Sequence, residues 1–127
     1  MNTPNDVIEQ WMQGVNTADV ELLLSLYDEK SVLIPTFSNR ILKTPEQLRD
    51  YFERLGAREG LSIILHDKTL TVQPIEMNLF ALSGLYNWRF TVEDELLNFE
   101  ARFSYLLDMR KKSPIMHHHS SQIPRML

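Results

Sequence analysis

The stretch ARFSYLLDMRKKSPIMHHHSS, residues 101–121, decides the fold of this chain. It predicts two β-strands, from Asn98 to Asp108 and from Pro114 to Ser121. The polar residues Arg110-Lys111-Lys112-Ser113 between them are typical of a tight turn. The stretch therefore predicts the last hairpin of an antiparallel sheet.

Pairing Arg110 with Ser113 sets the register of this hairpin. Directly opposed residues of an antiparallel pair share a sheet face. One face then carries a polar set, namely Arg102, Ser104, His117, His119 and Ser121. The other carries Phe103, Tyr105, Leu107, Met116, His118 and Ser120. A register shift of one residue would reassign every partner across the hairpin.

We expect the polar set to line an internal pocket, with Arg102 as the anchor for an anionic ligand, since a buried guanidinium needs a negative partner. On this assignment His118 faces the outer packing of the sheet. Two alternatives stay open for Arg102. It pairs with a carboxylate of the chain, such as Glu100 or Asp108, or it makes a contact between subunits.

The preceding chain supplies helices and further strands. Thr3-Pro4-Asn5-Asp6 and Thr44-Pro45-Glu46-Gln47 are capping-box starts with proline at the first helical position. A second short helix starts at Thr17 and includes Tyr27 in its apolar stripe. Other predicted elements are a strand at Val32-Leu33-Ile34, a loop at 36–43, and strands at Leu61–Val72 and Leu79–Thr91.

Helices at the beginning and strands at the end indicate one α+β domain, residues 1–127, in which N-terminal helices pack on a strongly curved, mainly antiparallel sheet. Such a curved sheet leaves a cavity at one end, where a ligand site is expected. Tyr86 and Trp88 share a face of their strand, with Phe90, and are candidates for the pocket wall. Asn87 and Arg89 take the opposite face.

Composition narrows the classes of function. The net charge of −4 and the scattered basic residues argue against nucleic-acid binding. The chain has no apolar run that could span a bilayer and no signal peptide at its start, so we expect a cytoplasmic protein without a membrane partner. It contains no cysteine, which excludes disulfides and thiolate chemistry.

Histidines are the other chemical candidates. His117 and His119 lie two apart on a strand and point the same way, but His66 is the only further histidine and no third ligand is identified. We therefore expect no bound metal and no cofactor. The two side chains serve as hydrogen-bonding partners of a ligand or, in an enzyme, as an acid/base pair.

Ala101-Arg102-Phe103-Ser104-Tyr105 and the segment from Ile115 to Pro124, with its His-His-Ser-Ser sequence, resemble the SnoaL-like proteins of the nuclear transport factor 2-like superfamily. The likeness is greatest to bacterial proteins similar to the association domain of calcium/calmodulin-dependent kinase II. The resemblance implies a cystatin-like cone, dimerisation through the outer face of the sheet, and a pocket floor that includes Arg102. Relatives usually carry a Trp just after the last turn, where this chain has Ser113-Pro114.

Three functions follow as expectations. The first is a homodimer or higher homo-oligomer that binds a small anionic or aromatic molecule through Arg102, Ser104, His117, His119, Tyr86 and Trp88. The second is an association module whose pocket is incidental. The third is an isomerase, cyclase or hydrolase of a small hydrophobic substrate, because one such fold hosts many activities.

Overall fold

The chain starts with two helices, and a computed structural model describes residues 2–124 of it. Helix α1 (Pro4–Asn16) begins with the predicted capping box, in which Thr3 and Asp6 bond each other's backbone. Helix α2 (Val20–Leu26) is capped by Asp19, whose side chain accepts from the backbone of Leu22. Among the described residues no helix is long and apolar enough to cross a membrane.

A strand and a third helix follow. Strand β1 (Tyr27–Ile34) is longer than the predicted three residues, and it begins at Tyr27, which we expected in the second helix. Helix α3 (Pro45–Gly56) begins with the second predicted capping box, between Thr44 and Gln47. The loop between β1 and α3 crosses one end of the fold.

The second half of the chain forms most of the sheet. Its strands are β2 (Ser62–Leu65), β3 (Thr71–Glu76), β4 (Leu79–Val92), β5 (Glu95–Asp108) and β6 (Ile115–Gln122). The sheet order is β1-β6-β5-β4-β2, with β3 also paired to β4. Among residues 2–124, only the β1–β6 pairing is parallel. The sheet is thus mainly antiparallel, as the sequence predicts.

The predicted strand from Leu61 to Val72 is wrong. A 3₁₀ turn at Asp67–Thr69 divides this segment into β2 and β3, and both pair with the long strand β4. The Thr69 hydroxyl stabilises the turn by donating to the carbonyl of His66 at 2.7 Å and accepting from the amide of Leu85 at 2.8 Å. Alternating composition alone does not reveal such a break.

The last hairpin has the predicted register along its strands. Arg102 pairs with Ser121, Ser104 with His119 and Leu106 with His117. Near the turn the register shifts, and Leu107 pairs with Ile115. The bulge leaves Met116 unpaired, and the assumed pairing of Arg110 with Ser113 is therefore wrong. The strand partners that this pairing predicted, from Arg102 to Leu106, are nevertheless right.

The core lies between the helices and the concave face of the sheet. Its largest fully buried side chains include Trp11, Trp88, Tyr86, Tyr105 and Phe52. Ser113 and Pro114, which stand where relatives have a Trp, also take part in packing. The Ser113 hydroxyl donates to the carbonyl of Ser25 at 2.8 Å, and Pro114 is buried. Of the predicted domain, 1–127, Met1 and residues 125–127 lie outside the described residues.

Candidate ligand-binding site

The polar set of the last hairpin lies on the outer face of the sheet. Arg102, Ser104 and His119 are exposed, whereas their strand neighbours Phe103 and His118 are buried against the helices. The expectation that Arg102, Ser104, His117 and His119 line the interior of the cone is therefore wrong, and so is the outward assignment of His118. Arg102, Ser104, His119 and Ser121 border an outer depression of the sheet, together with Thr69 and Gly84.

The physical reason is the apolar content of the opposite face. Phe103, Tyr105 and Leu107 alternate along β5, and an antiparallel sheet packs its apolar face on the core. The register then carries His118 and Ser120 inward with them. Burying Arg102 instead would have cost its hydration and exposed the aromatic side chains.

His118 is the centre of a buried polar network. The Tyr27 hydroxyl lies 2.8 Å from Nδ1 of His118, and the Tyr86 hydroxyl lies 3.3 Å from Nε2. Trp11 Nε1 donates to the Tyr27 hydroxyl at 3.0 Å, and Tyr86 donates to the Ser120 hydroxyl at 2.5 Å. A further hydrogen bond joins the Ser120 and Thr36 hydroxyls.

The directions of these bonds assign the tautomer of His118. An indole N–H can only donate, so the Tyr27 oxygen accepts from Trp11 and its single hydrogen goes to Nδ1 of His118. Tyr86 uses its own hydrogen for Ser120 and therefore accepts from Nε2. The imidazole is neutral with its hydrogen on Nε2, as assigned from the network.

Burial keeps the network uncharged. Desolvation lowers the pKa of His118 well below its ordinary value, with smaller contributions from His117 and His119. Desolvation also raises the pKa of Tyr27, Tyr86 and Tyr105 far above the ordinary tyrosine value. With both ring nitrogens of His118 bonded to tyrosines, the imidazole has no free lone pair to accept a proton from a substrate.

The interior of the cone is almost filled. An inner cavity of about 10 Å³ remains, bordered by Thr36, Tyr51, Trp88 and Ser120 among other residues. Tyr86 and Trp88 lie in the wall of the interior as predicted from strand parity, and both are buried with Phe90. Their predicted contact with a ligand stays a prediction.

A larger space, which we call the mouth cleft, lies at the end of the cone between α3, the β1–α3 loop and β4. Its volume is about 640 Å³. That volume lies within the range of roughly 300–1,000 Å³ that is usual for small-molecule sites. Phe37, Tyr51 and Phe90 supply aromatic surface, and Tyr51 borders both the mouth cleft and the inner cavity.

The charged side chains of the mouth cleft are three arginines and two carboxylates: Arg40, Arg54, Arg58, Glu46 and Asp50. Arg54 pairs with Asp50 at 3.2 Å. The Arg58 guanidinium lies 5.5 Å from the ring centroid of Phe90. Within residues 2–124, neither Arg40 nor Arg58 has an ion-pair partner.

The other histidines form no metal centre with the residues described. His117 and His119 share the outer face, and His66 lies 3.8 Å from Glu100. Across residues 2–124, no three His, Asp or Glu side chains are grouped as metal ligands. Arg102 has no ion pair with Glu100 or Asp108, and Asp108 instead bonds Arg110 at 2.8 Å.

Sequence reasoning missed the cleft arginines and the role of His118. The inward position of His118 follows from a signal that was available, namely its register with Tyr105 on the apolar face. No comparable signal identifies Arg40, Arg54 and Arg58. They come from a loop, a helix and the segment after it, and only the tertiary fold brings them together.

Comparison with known families adds to this geometry. A model of the SnoaL-like domain matches residues 5–126. The chain belongs to the SnoaL-like family. The predicted resemblance is thereby confirmed. No curated protein matches this SnoaL-like chain in sequence.

Solved structures show the fold of this SnoaL-like protein. A protein from Xanthomonas campestris named as a calcium/calmodulin-dependent protein kinase II association domain superposes with a TM-score of 0.84 at 23% identity, covering 96% of this chain and 86% of its own. A Caulobacter vibrioides protein with a cystatin-like fold superposes with a TM-score of 0.78 at 12% identity, covering 94% of this chain and 87% of the Caulobacter chain. A protein from Streptomyces avermitilis, named as a dehydratase of the NTF2-like family, superposes with a TM-score of 0.79 at 10% identity, covering 95% of this chain and 94% of the Streptomyces chain. The predicted α+β, cystatin-like fold is confirmed.

Proposed function

We propose that this SnoaL-like protein binds a small aromatic anion in the mouth cleft. The observation that carries the proposal is the pairing of a cleft of about 640 Å³ with two arginines, Arg40 and Arg58, that have no ion-pair partner among residues 2–124. A guanidinium on an aromatic-lined wall favours a carboxylate or phosphate on a planar body.

The anchor in this proposal differs from the one the sequence suggested. Arg102 lies outside the cone and does not border the mouth cleft, whereas Arg40 and Arg58 do. The lining carries one more arginine than it has carboxylates, in a chain whose net charge is −4. This local excess of positive charge supports an anionic ligand.

Binding has more support than acid–base catalysis. The proposed acid/base pair, His117 and His119, faces away from the cone. His118 faces inward, but Tyr27 and Tyr86 engage both of its nitrogens. An isomerase, cyclase or hydrolase would need a base within reach of its substrate.

The test uses benzoate as the probe, with benzylamine as the cationic comparison. Benzoate should bind with a measurable Kd and benzylamine should not, as followed by titration calorimetry or by protein NMR. Arg40→Gln with Arg58→Gln should weaken benzoate binding by at least about tenfold, because charge-assisted hydrogen bonds are lost.

Arg102→Gln is the matched control. It removes an arginine on the outer face of the sheet without touching the mouth cleft, so benzoate affinity should stay unchanged. If Arg102→Gln abolishes binding and the cleft double variant does not, the outer depression is the site and the present proposal fails.

We also propose that two copies associate through the outer face of the sheet. That face exposes the apolar side chains of Ile64, at 61%, and Leu96, at 53%, as well as Arg102. Exposed apolar side chains on a sheet favour contact with another surface. The likeness to a protein named as an association domain supports a second copy as the partner.

Solution mass decides this second proposal. Sedimentation of the native protein should give a dimer or a larger homo-oligomer, and Ile64→Asp with Leu96→Asp should give a monomer. A native protein that is monomeric at micromolar concentration would exclude self-association.

A further inference from the structure

Trp88 has an indole N–H that donates to no acceptor. Its side chain is buried, with 2% of its surface exposed, and Nε1 has no hydrogen-bond partner within residues 2–124. Burying an N–H without an acceptor costs about 1–3 kcal/mol. Since an indole N–H can only donate, the missing partner is an acceptor atom.

The Thr36 and Ser120 hydroxyls form a ring with Tyr86. Tyr86 donates to Ser120, the Ser120 and Thr36 hydroxyls bond each other, and Thr36 also hydrogen-bonds the Tyr86 hydroxyl. With Ser120 donating to Thr36 and Thr36 to Tyr86, each of the three hydrogens has an acceptor. The Trp88 indole is the donor beside this ring that lacks an acceptor within residues 2–124.

Trp88 and the ring of hydroxyls border the same small space. Trp88, Thr36 and Ser120 all line the inner cavity of about 10 Å³. A cavity of roughly 10–15 Å³ holds one oxygen-sized group. The other face of the cavity is Tyr51, which also borders the mouth cleft.

We propose that the inner cavity is an acceptor site that takes the carbonyl oxygen of the ligand whose anionic end is held in the mouth cleft. This inference rests on the proposed function and adds a substrate class to it. The ligand is an aromatic acid with a keto or amide carbonyl at the end remote from its acid group. The oxygen enters beside Tyr51 and accepts from the Trp88 indole N–H.

The polarity of the network excludes other groups at that position. The Trp88 indole N–H can only donate, so a ligand N–H placed against it would leave the indole without an acceptor. The donor is neutral, which suits a carbonyl better than a second carboxylate.

Two matched compounds test the proposal. In 4-acetylbenzoate a carbonyl oxygen stands opposite the carboxylate, and in 4-isopropenylbenzoate a CH₂ group replaces that oxygen. The chain has two tryptophans, so its ¹H–¹⁵N spectrum contains two indole signals. Trp11 is an internal control because its N–H is already bonded to Tyr27.

We expect 4-acetylbenzoate to move the Trp88 indole signal downfield and to leave that of Trp11 in place. 4-Isopropenylbenzoate should bind about tenfold more weakly, the worth of one hydrogen bond, without that shift. Trp88→Phe, which removes the indole N–H, should abolish the difference in affinity between the two compounds.

The outcomes separate the two proposals. If both compounds bind equally, depend on Arg40 and Arg58, and leave Trp88 unmoved, the mouth cleft is the site and the acceptor cavity is wrong. A Trp88 signal already downfield in the free protein and unchanged by both compounds means a retained water, which also overturns the inference. If neither compound binds, the proposed function fails and the inference fails with it.

Discussion

Tyr105 stacks on His118 with 3.9 Å between ring centroids, yet its hydroxyl has no hydrogen-bond partner among residues 2–124. Tyr27, on the other strand that flanks β6, bonds both His118 and Trp11 through its hydroxyl. The two tyrosines are almost equally buried, at 1% and 5% exposure. They therefore differ in their hydrogen bonds more than in their packing.

Phenylalanine substitutions at these positions should have opposite effects on stability. Tyr27→Phe leaves the Trp11 indole and a nitrogen of His118 without partners, so we expect a loss of about 1–3 kcal/mol in the free energy of unfolding. Tyr105→Phe removes a buried hydroxyl that bonds nothing, so stability should stay equal or rise. Urea unfolding measures both, and an equal loss in both variants would contradict the network as described.

Stability should fall in weakly acidic solution because of His118. Burial places its folded-state pKa well below the ordinary value of 6.5. Above pH 6.5 the imidazole is neutral in both the folded and the unfolded state, so it adds no pH dependence to the free energy of unfolding. Below it, the unfolded chain binds a proton that the folded chain does not, so the free energy of unfolding decreases by up to about 1.4 kcal/mol per pH unit.

Urea unfolding between pH 8 and pH 5 measures this slope. The tyrosines around His118 do not titrate in that range, since burial raises their pKa. His118→Gln should flatten the slope. A slope that survives His118→Gln would assign the effect to another group.

Gly14 is required by the contact between α1 and α2. A Cβ at this position would lie 2.8 Å from the side chain of Leu23, which is 3% exposed. We expect Gly14→Ala to lower the unfolding free energy by about 1–3 kcal/mol through overpacking.

Gly56 provides the control for that substitution. It is also helical, but a Cβ there would meet only Ala18, at 3.4 Å. Gly56→Ala should be neutral or stabilising by up to about 1 kcal/mol because alanine has the higher helix propensity. Thermal unfolding of the two variants compares them directly, and an unaffected Gly14→Ala would show that Leu23 repacks without cost.

Asp108 stabilises the last hairpin through Arg110. Its carboxylate accepts from Nε, Nη2 and the backbone amide of Arg110, and the side-chain bond lowers the Asp108 pKa to about 2. Asp108→Asn should therefore reduce stability at neutral pH. The difference from the native protein should shrink as the pH falls from the ordinary value of 3.8 towards 2, because the native carboxyl then becomes protonated.

Asp50→Asn is the comparison for the hairpin variant. Its carboxylate pairs with Arg54 on the surface, where both side chains are well exposed. Such a pair contributes little to stability. Chemical unfolding at two pH values distinguishes the variants, and an equal, pH-independent effect at both positions would contradict the special role of Asp108.

Local sequence rules predicted the elements that depend on neighbours in the chain. Both capping boxes, at Thr3 and Thr44, form as expected because their bonds join residues three apart. The pairing of Arg102 with Ser121 was also predictable, since a short turn limits the registers of a hairpin. The bulge at Met116 was not predictable. It makes up for the one-residue difference between the actual pairing near the turn and the pairing of Arg110 with Ser113 that we assumed.

The sequence by itself determined the α+β class, the strand register and the separation of His117 and His119 from His118, since alternation along a strand is a local property. Only the tertiary structure decided which face of the sheet packs against the helices and which arginines lie in one cleft. The inward face is the one whose aromatic side chains gain most from burial against α1, and Arg102 stays in water on the other. Arg40 and Arg58 border one cleft because a loop and α3 close over the end of the sheet, a relationship between distant segments that no local pattern contains.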